Sequence, residues 1–211
     1  MNNALRSAPF FLAVFAFALL PATPTMGDQA RTVHSLLEMR QANVVVQQWD
    51  ISCGAAALTT LLNYQHGESL TEKQVATGLM RRAEYIKNPD IVRIREGFSL
   101  LDLKRFVDTL KYTGVGLGQL TLKNLLNEAP IIVPVSMIGY NHFVIFRGIL
   151  GNRVLLADPA WGNRTMLVDK FESSWIDYPK LGHVGFVVRR KDGTKPPNRL
   201  APKANEFLVL G

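Results

Sequence analysis

The sequence predicts an α+β domain, a helical N-terminal half followed by an antiparallel β-sheet. Three observations carry that prediction. Between residues 53 and 128 the apolar residues recur three and four apart, as on one face of a helix. After Pro130 the pattern changes to short runs rich in Val and Ile. Two of those runs are separated by Gly151-Asn152, a pair suited to a tight hairpin turn. Helices first and strands second is the order of an α+β domain.

The chain opens with Arg6 and an uncharged apolar run from Ala8 to Leu20, then small and turn-forming residues through Gly27. We expect residues 1–27 to be a signal peptide, processed near Ala22 or Gly27. The run is shorter than the roughly 20 residues that a membrane span needs, and no second long run follows. No stable span is therefore expected after processing, and the protein is expected in the periplasm. Residues 28–190 would form one domain and 191–211 a basic, Pro-rich tail with little structure. Its closing Phe207-Leu208-Val209-Leu210 is apolar enough to dock on the body or on a partner.

Within the domain, Val44-Val45-Val46 reads as a short strand or an extended lead-in. Ser52 is placed to cap a helix running to about Tyr64, with Ala55, Leu58, Leu61 and Leu62 on one face and Gly67 ending it. Thr71-Glu72-Lys73-Gln74 is a capping box opening a second helix that buries Val75 and Leu79. Residues 84–97 read as loop or a short helix. Ser99 to Asp102 opens a third helix, with Gly114 as its stop, and Thr121 to Glu128 forms a fourth. The predicted strands are Ile131–Val135, with Pro134 suggesting an edge or a bulge, then His142–Ile149, Arg153–Ala157, Thr165–Val168 and Val184–Val188.

The net charge is +7, but the positive residues are dispersed and no aromatic residues interleave with them. That describes a solvated basic surface, not a nucleic-acid footprint. The chain has one cysteine, Cys53, which cannot form an internal disulfide. It lies where a polar loop meets an apolar helical run, and a helix N-terminus favours the thiolate. A small buried hydrophobe is the other reading of an isolated cysteine.

A cysteine nucleophile needs a base, and the base needs an orienting group. Of the four histidines, His34 and His66 read as solvated and His183 as a surface residue. His142 differs. In a hairpin turning near Gly151, paired residue numbers add up to about 301–303, so His142 lies opposite roughly 159–161, just past Asp158. A bulge or a shifted turn centre would complete the match. An oxyanion would need donors, which the amide of Gln47 or Gln48 and the N–H of Cys53 can supply.

Gln47-x5-Cys53-Gly54-Ala55-Ala56, Gly139-Tyr140-Asn141-His142-Phe143-Val144 and Asp158-Pro159-Ala160-x-Gly162 resemble the bacteriocin-processing (double-glycine leader) cysteine peptidases over residues 40–190. The resemblance implies a papain-like fold. It also implies Cys53 as nucleophile, His142 as base, Asp158 as orienter and Gln47 as the oxyanion residue. Many of its members are fused to ABC-type exporters, and no such domain follows here. Stand-alone exported members belong to functional-amyloid operons, so the resemblance implies an amyloid subunit or secretion-system component as polypeptide substrate. Arg95-Glu96-Gly97-Phe98-Ser99-Leu100 is typical of those members, with no role that its chemistry suggests. One Cys with scattered His does not make a zinc site, and neither metal nor cofactor is expected. The same groups would serve transfer to an amine, or a peptidase-derived module that holds its polypeptide uncut.

Overall fold

The computed structural model describes residues 35–137 and 139–207. The expected signal peptide lies outside them. Among the described residues no helix is long and apolar enough to cross a membrane.

The helical half comprises α1 (Leu36–Gln41), α2 (Cys53–Thr60), α3 (Glu72–Met80), α4 (Ala83–Lys87), α5 (Asp90–Ile94) and α6 (Leu100–Asp108). All eight residues of α2 are buried. Small side chains at Ala55, Ala56 and Ala57 let neighbouring elements approach this helix from every side. It continues into a π-helical turn, Leu61–Gln65, and Gly67 ends the run at φ 81°. The box predicted at Thr71/Gln74 forms in both directions and starts α3, and a second box at Ser99/Asp102 starts α6 where a helix start was expected. Val75 and Leu79 are fully buried and stabilise the fold by roughly 2 kcal/mol each. The unassigned stretch 84–97 holds most of the short α4 and all of α5.

The rest comprises β1 (Tyr112–Leu117), α7 (Leu122–Glu128), β2 (Ile131–Met137), β3 (Tyr140–Leu150), β4 (Arg153–Asp158), β5 (Gly162–Leu167), α8 (Val168–Ser174), β6 (Asp177–Tyr178), β7 (Gly182–His183) and β8 (Gly185–Arg190). Six strands form one sheet in the order β1-β8-β2-β3-β4-β5, and β6 pairs with β7 separately. Strand periodicity divides the core between the faces of the large sheet. Ile132, Ile145, Ala157 and Phe186 meet α2, α3 and α6, while Ile131, Val144, Leu156 and Val187 meet Leu125, Phe171 and Trp175.

Three expectations change. Gly114 does not stop a helix but lies inside β1, where a Cβ would stand 2.8 Å from both Lys104 Cα and the Phe186 ring. Pro134 is not on an edge strand, since β2 lies between β8 and β3. However, β2 pairs with β8 only at Ile132, and beyond it Pro134 accepts from Ile176 N–H, so no sheet partner there needs the missing donor. The tail is irregular, as expected, yet it is anchored. Gln65 holds Pro197 O and Arg199 N–H, Leu200 is fully buried, and Arg147 bonds Leu200 O, Ala201 O and Glu206. Phe207 docks on the body with the Arg147 guanidinium 5.1 Å from its ring centre.

Candidate active site

Cys53 is the first residue of α2, and Ser52 occupies the N-cap position. The Ser52 hydroxyl does not cap its helix. It lies 2.5 Å from Glu72 Oε1 and 2.7 Å from Trp49 O, so no side chain covers the free N–H groups of the first turn. The next residue is glycine for a steric reason: a Cβ at Gly54 would stand 3.3 Å from the ring of Phe143. The N-terminus of α2 thus rests on the residue that follows His142.

His142 and Asp158 come together through the hairpin and a bulge. Near the turn the pairs are Leu150↔Arg153 and Gly148↔Leu155, and past the bulge they become Phe146↔Leu156 and Ile145↔Ala157. Arg147 is the extra residue, and its insertion moves Asp158 one position closer to His142. His142 Nε2 lies 2.7 Å from Asp158 Oδ1, with both residues buried. The same oxygen accepts from Ala160 N–H at 2.9 Å, and Oδ2 faces Arg164 Nε at 2.8 Å. With Nε2 on Asp158, Nδ1 is left for the sulfur. Burial pulls the His142 pKa down, but hydrogen bonds to Asp158 and Cys53, together with their charges, outweigh it and push it up to about 9. The charged ring is thus favoured next to the sulfur, and a thiolate is the reactive form of cysteine.

Gln47 is tied to the same place, its N–H donating to Pro159 O at 2.8 Å, next to Asp158. Its amide Nε2 donates to Trp49 O at 2.9 Å and approaches Asp50 O at 3.3 Å, inside the turn that leads to Cys53. Gln48, the rival, has an exposed side chain and gives its N–H to Glu72. Of the other histidines, His66 is half-buried against Tyr112, where burial lowers its pKa, and His183 stacks on Trp175 at 4.5 Å. Both belong to packing. His34 lies outside the described residues.

The Cys53–His142 pair opens onto a cavity of about 550 Å³ with a largely apolar wall that includes Phe98, Leu100, Leu117 and Leu181. The stretch Arg95 to Leu101 forms one side of it. Its role was not legible, because a loop that walls a cleft has no local chemical signature. Two further residues escaped the sequence reading. Glu72 reads as an ordinary first-turn acid. Arg164 is visible in retrospect, as it pairs with Leu156 on β4 and so shares a face with Asp158.

Residues 41–179 match the peptidase C39 family. The chain belongs to that family. By family it is a cysteine peptidase. Two relatives carry the name probable functional amyloid protease FapD. The protein from Pseudomonas aeruginosa is 37% identical over 157 residues, covering 74% of this chain and 66% of its own length. That from Pseudomonas fluorescens is 33% identical over 211 residues, covering 98% and 89%. Among solved structures, the chain resembles a double-glycine-motif protease from an AMS/PCAT transporter in complex with its leader peptide. The TM-score is 0.55 and the identity 21%, with 70% of this chain and 91% of that one covered. It also resembles the peptidase domain of Streptococcus ComA, with a TM-score of 0.54, 15% identity and coverage of 70% and 98%. At these identities the likeness establishes the papain-like α+β fold.

Proposed function

We propose that this protein is an exported cysteine peptidase that cuts a secreted polypeptide with Cys53, His142, Asp158 and Gln47. The observation that carries the reading is the buried His142–Asp158 pair sharing an apolar cleft with Cys53 at the N-terminus of α2, a cleft large enough for a peptide segment. The names of the two relatives support a functional-amyloid component as the polypeptide, and the expected signal peptide supports action in the periplasm.

His142 takes the thiol proton on Nδ1, and the Cys53 sulfur attacks the peptide carbonyl carbon. The C=O electron pair moves onto oxygen, which faces the N–H of Cys53 and the Gln47 amide. To serve there, Gln47 Nε2 gives up its longer contact, the 3.3 Å approach to Asp50 O. The intermediate collapses, the C–N bond breaks, and the imidazolium protonates the leaving amine. His142 then deprotonates a water that attacks the thioester, releasing the acid and restoring the thiol. Asp158 fixes the imidazole ring and stabilises its charge throughout.

The test is incubation of the purified protein with amyloid subunits and accessory proteins encoded beside it, read by mass spectrometry. We expect a single cut that Cys53→Ala abolishes, with one water added across it as a new carboxyl terminus and a free amino terminus. Equal cleavage by that variant would overturn the mechanism. Intact polypeptide recovered in a stable complex would instead indicate a holding module. Edman sequencing of the protein recovered from periplasm is expected to start after Ala22 or Gly27.

A further inference from the structure

Glu72 is a buried carboxylate for which, among the described residues, no cation forms an ion pair. Left alone, such a charge costs stability. Its oxygens are taken up elsewhere. Gln48 N–H reaches both, at 3.0 and 3.2 Å, and the Ser52 hydroxyl reaches Oε1 at 2.5 Å. Gln48 is the neighbour of Gln47, and Ser52 is the neighbour of Cys53. One carboxylate therefore grips the turn 47–53 at both ends, beside each group that would donate to an oxyanion. Glu72 can do this because the capping box of Thr71 and Gln74 fixes the first turn of α3, whose N-terminal dipole favours a negative charge there. Drawing the Ser52 hydroxyl away from its own helix also leaves the N–H groups of the first turn of α2 uncovered.

We propose that Glu72 is a positioning residue of the oxyanion site, holding the Cys53 N–H and the Gln47 amide at the spacing that a tetrahedral intermediate requires. The inference rests on the cysteine-peptidase reading. It concerns the oxyanion donors and not the nucleophile, so the two kinds of thiol chemistry should separate. Alkylation by iodoacetamide proceeds by displacement at carbon and forms no oxyanion, whereas peptide hydrolysis and capture of a peptide aldehyde both do.

The experiment compares Glu72→Gln and Ser52→Ala with the parent. Glu72→Gln is expected to lower kcat about tenfold with KM within twofold, less than the 10²–10³-fold that follows loss of an oxyanion donor itself. Affinity for a peptide aldehyde should fall in parallel, while the Cys53 alkylation rate stays within twofold. Ser52→Ala should show the same split with a smaller loss, and little further loss when combined with Glu72→Gln. An unchanged kcat, an alkylation rate that falls with kcat, or additive losses in the double variant would each overturn the proposal. If Glu72→Gln does not fold, Ser52→Ala alone decides by the same split. A parent that binds aldehyde and reacts with iodoacetamide but cuts no peptide would count against the peptidase reading, and the aldehyde arm would still decide the role of Glu72.

Discussion

Arg164 Nε stands 2.8 Å from Oδ2 of Asp158, the oxygen that His142 does not use. Asp158 is thereby held from both sides, and its free rotation about χ2 is removed. An amide in its place would keep an acceptor for His142 Nε2–H but lose the charge that sustains the imidazolium and the Arg164 pair. We expect Asp158→Asn to lower kcat/KM about tenfold and Asp158→Ala roughly 10³-fold, with Arg164→Met costing a few-fold. Steady-state kinetics on a cleavable peptide checks the order. An Asn variant as damaged as the Ala variant would show that charge, not orientation, is what Asp158 supplies.

Gly97 joins the cleft wall to the turn that precedes Cys53. It sits at φ 126°, and a Cβ there would stand 3.0 Å from the backbone oxygen of Ile51, two residues before Cys53. Both the conformation and the contact exclude a side chain. Gly97→Ala is expected to destabilise the fold by about 1–2 kcal/mol and to lower kcat/KM about tenfold by displacing Ile51. Urea unfolding and kinetics on the same preparation check both effects.

These two glycine and carboxylate contacts show why part of the site was legible in the sequence and part was not. The capping box at Thr71 is local and forms as read, and the helix starts read at Ser99 and Thr121 prove to be capped by boxes too. The hairpin around Gly151 is local too, and its register as read placed His142 opposite residues 159–161, just past Asp158, with 160 the position that the observed pairing gives. The bulge that improves the match depends on Arg147, whose partners Glu206 and Leu200 lie more than fifty residues away, so no nearby residue announces it. Likewise β1 was missed because Gly114 and Gly116 interrupt the run of Tyr112, Thr113 and Val115. Close packing of α6 against the sheet, not local preference, requires the glycine at 114. Spacing alone does not distinguish Gln47 from Gln48, whose difference is tertiary: the Gln47 N–H donates to Pro159 O and the Gln48 N–H to Glu72.

Glu206 is predicted to make the tail essential to stability. Its Oε2 lies 2.5 Å from Arg147 Nη2 and its Oε1 accepts from Asn43 at 2.6 Å, in a fully buried setting. Glu206→Ala leaves the Arg147 guanidinium buried without its anion, a loss of about 3–5 kcal/mol. The pair Arg147→Met with Glu206→Leu should recover most of that, because both charges leave together. Denaturant unfolding of the two variants tests the claim, and equal stability of Glu206→Ala and parent would refute it.

The pH dependence follows from His142. Its folded-state pKa is about 9, against the ordinary 6.5. A raised value means that folding favours the protonated ring, so the stabilisation is complete below pH 6.5 and is lost as pH rises through 9. The shift corresponds to roughly 3 kcal/mol. The stability gap between parent and His142→Ala, measured by urea unfolding, should therefore shrink by about that amount between pH 6 and pH 9.5. The same value for His142 bears on activity. Deprotonation of the imidazolium removes the acid that must protonate the leaving amine, and kcat/KM is expected to fall on an alkaline limb near pH 9. A limb near 6.5 would mean that Asp158 and Cys53 do not stabilise the charged ring in solution.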